Sequence, residues 1–180
     1  KGGTWIADGR RVVHVGGSSI QPEIVVSDLP DSAWSIAEDP RQRLWLGTET
    51  HGILMAEPAG DGPVRATSAA PLRGRAAIDG KGIVRQGADG SIFLLYSPEA
   101  WRLRPGSEAD FEAIAGYPRR TLVSASEPTS DGTLWLIHTG AGLAPCIGTI
   151  SLENGRATWR SHSVEGLASI GTPQTIYAQK

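Results

Sequence analysis

Four histidines, His14, His51, His138 and His162, are the side chains of this 180-residue sequence best suited to proton transfer or metal ligation near neutral pH. None stands in a spacing that defines a site. There is no His-Glu-x-x-His, Cys-x-x-Cys or calcium-loop pattern, so neither a metal nor a cofactor is expected. Gly140-Ala141-Gly142-Leu143-Ala144-Pro145 begins like a dinucleotide loop, then has Pro where the third Gly belongs, and reads as a turn. No Gly-x-Ser-x-Gly elbow is present. The lone cysteine, Cys146, has no partner for an intrachain disulfide and reads as a small buried apolar residue. No catalytic motif stands anywhere in the sequence.

His51 and His138 fall at or just after an apolar strand, at similar positions of a repeating unit. With Glu49, Tyr96 and Glu99 they are the candidates for a shared ligand-binding rim. The competing reading makes all five solvated turn residues. Arg73, Arg75, Arg119 and Arg120 read as solvated surface charge.

The unit that must position these residues is clearest at Arg43-Leu44-Trp45-Leu46-Gly47-Thr48, followed by Gly52-Ile53. An aromatic flanked by apolar residues recurs as Trp5, Trp45, Phe93 and Trp135, in steps of 40, 48 and 42 residues. Asp89-Gly90 and Asp131-Gly132 lie four and three positions before their aromatics, and Gly2 lies three before Trp5. The second unit has Arg41-Gln42 there, with Asp39-Pro40 turning slightly earlier. Strand units repeating every 40 to 50 residues or so are the signature of a propeller-type array.

Each unit has a simple physical logic. Asp-Gly supplies a turn with φ > 0. The strand after it is apolar on both sides, so neighbouring sheets must cover both faces. One tryptophan buries about 200 Å², worth at most about 5 kcal/mol. One such ring per sheet can hold each blade to the next. The expected fold is therefore all-β, a propeller or propeller fragment of about four blades of four antiparallel strands. Its units run over about 1–30, 31–78, 79–118 and 119–180. The alternative is a sandwich built from unrelated core strands.

Composition agrees with one globular domain of many turns: 39% hydrophobic, 20% charged, with 23 Gly and 12 Pro. A net charge of −2 gives no reason to expect a nucleic-acid partner. No apolar run approaches the roughly 18 residues of a membrane span, and no signal peptide opens the chain.

Strands are expected over Thr4–Ala7, Arg10–Val15, Ile20–Ser27, Ala33–Ala37, Arg43–Thr48, Gly52–Ala56, Val64–Ser68, Gly82–Gln86, Ser91–Tyr96 and Ala100–Leu103. Further strands are expected over Thr121–Ala125, Thr133–His138, Leu143–Leu152 and Arg156–Ser161. Trp34 and Ile36 should share one face. Ser107-Glu108-Ala109-Asp110, with Phe111 and Ile114 at helical spacing, fits a short helix and an irregular outer strand equally well. Asn154-Gly155 is the strongest hairpin signal. The chain opens on what reads as a second strand and ends, over Gln174–Ala178, on a first strand. That last strand could complete the first blade, or the chain could be an excised part of a larger ring. Open blade faces and edges would favour self-association.

The second unit, with Trp34-Ser35-Ile36-Ala37-Glu38-Asp39 leading into it, resembles the two-component-regulator propeller repeat. The likeness is partial around Trp135 and faint around Phe93 and Trp5. It implies a ligand-sensing domain and not an enzyme, periplasmic, attached to a membrane-bound histidine kinase or diguanylate cyclase module of the same polypeptide. The ligand would be a small molecule or glycan. Asp131-Gly132-Thr133-Leu134-Trp135-Leu136, with Ile147-Gly148-Thr149-Ile150 downstream, is also similar to the streptogramin lyase repeat. That resemblance implies a propeller enzyme using His and Glu at its open face. A protein-binding scaffold is the third reading.

Overall fold

The computed structural model describes residues 3–16, 19–58, 62–68, 81–97, 99–140, 143–166 and 176–177. The expected strand Gln174–Ala178 and the arginines Arg73 and Arg75 lie outside them, apart from Ile176 and Tyr177.

Every element among the described residues is a strand. Blade I comprises β1 (Gly3–Asp8), β2 (Arg11–Gly16) and β3 (Ser19–Val26). Blade II comprises β4 (Ala33–Glu38), β5 (Leu44–Thr48), β6 (Ile53–Ala56) and β7 (Thr67–Ser68). Blade III comprises β8 (Gly82–Gln86), β9 (Ile92–Tyr96), β10 (Glu99–Leu103) and β11 (Phe111–Ala113). Blade IV comprises β12 (Thr121–Ala125), β13 (Leu134–Gly140), β14 (Leu143–Glu153) and β15 (Arg156–His162). Each sheet is an antiparallel meander in chain order.

The four aromatics are distributed one to a sheet, on β1, β5, β9 and β13. Three apolar cores lie between successive blades. Val12, Val26 and Leu29 meet Leu44, Leu46 and Leu54 between blades I and II. Trp45 and Ile53 meet Val84, Leu94 and Leu103 between II and III. Phe93 and Leu95 meet Leu122, Leu134 and Ile150 between III and IV. Strand alternation turns Ile6 to the opposite side of blade I, where it pairs with Val13, which in turn pairs with Ile24. Ile6 and Ile24 remain exposed there, at 44% and 39%.

The turn before each central strand is the same in three blades. The N–H of Gln42, Gly90 and Gly132 donates to the carbonyl of Asp39, Gly87 and Thr129 respectively. All three donors are left-handed, with φ of 63°, 82° and 81°. The turn thus survives in blade II without its glycine, at the steric cost an L-residue carries there.

Of the two readings left open for residues 107–114, the outer strand holds: Phe111 lies in a short outer strand, paired with Leu103 and set edge-on to Trp45 at 6.1 Å. One expectation is corrected. Trp34 does not share a core face with Ile36. A register shift between Ala33 and Ser35 turns it out of the core, and it is 45% exposed.

Candidate functional site

The first strands of blades II, III and IV lie side by side at the concave edge of the array. β4 packs on β8, and Lys81, just before β8, reaches β12 by donating to the Val123 carbonyl at 3.1 Å. The bulge in β4 aims Trp34 across this edge. Its indole N–H donates to the Gly82 carbonyl at 2.8 Å. The Lys81 ammonium sits over its ring, 3.5 Å from the centroid. Beside them is a cavity of about 200 Å³ lined by Trp34, Ser35, Ile83, Arg85, Val123 and Ser124. Arg85 is held by the carbonyls of Ala125 (2.9 Å) and Ser126 (3.1 Å) and by Glu127 at 3.2 Å. Burial lowers its pKa, against the opposing pull of Glu127, yet a guanidinium so far above neutrality stays charged.

This edge therefore gathers an aromatic ring, one face of it covered by the Lys81 ammonium, and a guanidinium already bonded to carbonyls and paired with Glu127. An ammonium and an aromatic ring together can meet an anionic substituent of a small molecule. Among the described residues, no three His, Cys, Asp or Glu side chains lie close enough to hold a metal ion.

The sequence-derived rim residues divide. Glu49 and His51 are exposed in the β5–β6 connection. Next to them, the Asp31 carboxylate accepts from the Thr50 N–H at 2.6 Å and hydroxyl at 2.9 Å. Burial opposes ionisation of Asp31, but these bonds and one from Ser32 hold its carboxyl below the usual range. His51 Nδ1 is 2.9 Å from the Thr50 hydroxyl and 3.9 Å from Asp31. Tyr96 is buried, its ring against Gly52, and its cross-strand partner is Glu99. The Glu99 carboxylate accepts from the Trp101 indole at 3.3 Å.

His138 is not on this rim. It is fully buried between blades III and IV, edge-on to Tyr117 (4.9 Å) and Trp159 (5.4 Å). Neither ring nitrogen makes a hydrogen bond of normal geometry. Burial pushes its pKa down to about 4, and the nearby Arg120 backbone offsets this only in part. Cys146 is also corrected: it is half-buried, with Sγ 3.1 Å from the Ser161 hydroxyl.

The residues that line the concave cavity escaped the sequence reading. Trp34 and Arg85 were legible only as strand residues, and nothing marked Lys81. Their common signal is position, at the first strand of successive units, and it carries no repeated residue type.

Meanders of three or four strands, stacked face to face about a concave edge, define a β-propeller architecture. Residues 28–50 match the family model described as two component regulator propeller, which covers the second unit's lead-in and central strand. No curated protein matches the chain in sequence. Among solved structures, a gluconolactonase from Xanthomonas campestris is similar with a TM-score of 0.58 and 15% identity, over 95% of this chain. This chain spans 60% of that protein's length. At such identity the likeness shows the fold alone. It nevertheless corrects the expectation that the chain is no enzyme: a propeller of this shape carries catalysis in the neighbour, so lack of a linear motif does not exclude it.

Proposed function

We propose that this chain is a ligand-binding propeller module of a membrane-bound bacterial signalling protein. It would act in the periplasm and pass ligand occupancy to a kinase or cyclase module of the same polypeptide. The observation that carries the reading is a cavity on the concave edge lined by Trp34 and Arg85, with the Lys81 ammonium over the Trp34 ring beside it. The family match over residues 28–50 supports the signalling context. The aromatic ring and the ammonium over it favour a small molecule or glycan bearing a carboxylate.

Thermal unfolding with gluconate, glucuronate or glucose tests this. Binding to the folded state raises the transition temperature in proportion to occupancy. The sugar acids should raise it, glucose less, and Trp34→Ala or Lys81→Ala should remove the rise without unfolding the protein. Absence of any shift with every acid would sink the concave-edge reading. In the intact polypeptide, the same variants should uncouple ligand from phosphorylation or cyclic-dinucleotide output.

A second reading, a propeller hydrolase, is favoured by the gluconolactonase neighbour. Proton release from glucono-δ-lactone distinguishes the two. Turnover lost on Lys81→Ala or His51→Ala would establish catalysis, and rates at the spontaneous level would remove it.

A further inference from the structure

The blade II–III interface contains an internal guanidinium. Arg43, just before β5, is buried beside the Trp45 ring, 5.4 Å from its centroid. It donates to the Asp39 carboxylate at 2.6 Å and to the Ser107 and Glu108 carbonyls of the next blade's outer turn, both at 2.8 Å. Asp39 also accepts from the Trp45 indole at 3.0 Å. An indole, a carboxylate bonded to its N–H and the outer connection of the following blade thus form one cation-binding slot, and the chain fills it.

Among the described residues, blade I repeats the arrangement without the cation. Trp5 occupies the repeat position of Trp45, and the residue two before it, equivalent to Arg43, is Gly3. The Trp5 indole donates to the Glu38 carboxylate at 2.8 Å. Across the strands Trp5 pairs with His14, and His14 with Glu23, forming one row turned towards blade II. The corresponding row in blade II is Trp45, Met55 and Thr67. Two neutral side chains have therefore become an imidazole and a second carboxylate. His14 lies against Gly3 and is tilted by 40° on Trp5, at 4.5 Å between centroids. What remains is a cleft of about 200 Å³ walled by Trp5, His14, Glu23, Glu38 and Gln42, with Pro58 from blade II's outer connection.

We infer that this cleft, between blades I and II, binds a guanidinium group of an external small molecule. The Glu38 and Glu23 carboxylates supply the acceptors that Asp39 supplies to Arg43. The Trp5 indole supplies the adjacent aromatic plane, and charge-assisted bonds to carboxylate are the strong kind available to a guanidinium. The Gln42 amide adds a polar group at the mouth. Nothing in this assignment depends on the cavity at the concave edge.

Titration of the intact protein with methylguanidinium chloride at constant ionic strength tests it, followed by the Trp5 indole N–H resonance, which Trp5→Phe identifies. A saturable shift is expected, with none from acetamide. Glu38→Gln and Glu23→Gln should each weaken binding roughly tenfold or more, the scale of one lost charge-assisted bond. Lys81→Ala should leave it unchanged. No saturable shift in the folded wild type, an equal response to acetamide, or unaltered binding in both glutamine variants would overturn the inference. Equal affinity for tetramethylammonium would overturn the guanidinium assignment.

Discussion

Trp5 and Trp45 stand at the same position of successive repeats, yet one walls a cleft and the other is packed solid. Trp45 is 1% exposed and meets Phe111, Val84 and Leu94 of the next blade. Trp5 is half-buried and faces His14, Glu38 and open volume. The repeat fixes where the ring lies; the neighbours decide whether it serves stability or recognition. Truncation is the most direct way to break this comparison. Trp45→Ala removes a ring from a packed core and should cost about 3–5 kcal/mol, a large part of a domain's 5–15 kcal/mol or so. Trp5→Ala should cost only about 1 kcal/mol, since less area is withdrawn from water and a cavity already exists. Urea unfolding of both variants measures the difference. Equal losses would mean the two interfaces are energetically the same.

The third interface extends the contrast, because it buries an imidazole whose desolvation is offset only in part. His138 must be neutral when folded, with a pKa of about 4 against an ordinary 6.5. A base with a depressed folded pKa favours folding fully above its unfolded pKa. That stability should therefore be complete above about pH 6.5 and decline as pH falls towards 4, reaching a loss of roughly 3 kcal/mol at the acid end. His138→Leu should flatten this decline. The quantity to measure is the difference between wild type and variant across that range, because carboxylates titrate in both. A variant as acid-sensitive as the wild type would show that the imidazole is not the source.

The parts of the fold legible in the sequence are those fixed by local chemistry. β8 and β12 begin and end where the pattern places them, and the left-handed Asn154-Gly155 hairpin forms as expected. Central strands are covered on both faces, so their apolar runs are unbroken. Outer strands pair on one side only, and their pattern is weak: the expected Val64–Ser68 shortens to Thr67–Ser68. One register shift was enough to misplace Trp34, because a single-residue slip reverses every side chain. His138 was misread because strand position does not reveal what the next blade places over it. The concave cavity draws on residues from three blades, so no contiguous motif could announce it.

The smallest expected effect sharpens the comparison most finely. Gln42 holds a left-handed conformation in a turn where blades III and IV use Gly90 and Gly132, and its side chain reaches the blade I–II cleft. Gln42→Gly relieves a strain of about 1–2 kcal/mol. It also frees the unfolded chain, which returns about 0.5–1 kcal/mol of that gain. The net expectation is a protein more stable by about 1 kcal/mol or less, seen as a higher urea midpoint with unchanged slope. Methylguanidinium affinity should fall at the same time, because the amide at the cleft mouth is gone. Higher stability with weaker binding would mean that blade II departs from the glycine of its sister turns to serve the cleft. Higher stability with unaltered binding would make the glutamine a tolerated defect of the repeat, and would leave recognition to Trp5, Glu23 and Glu38.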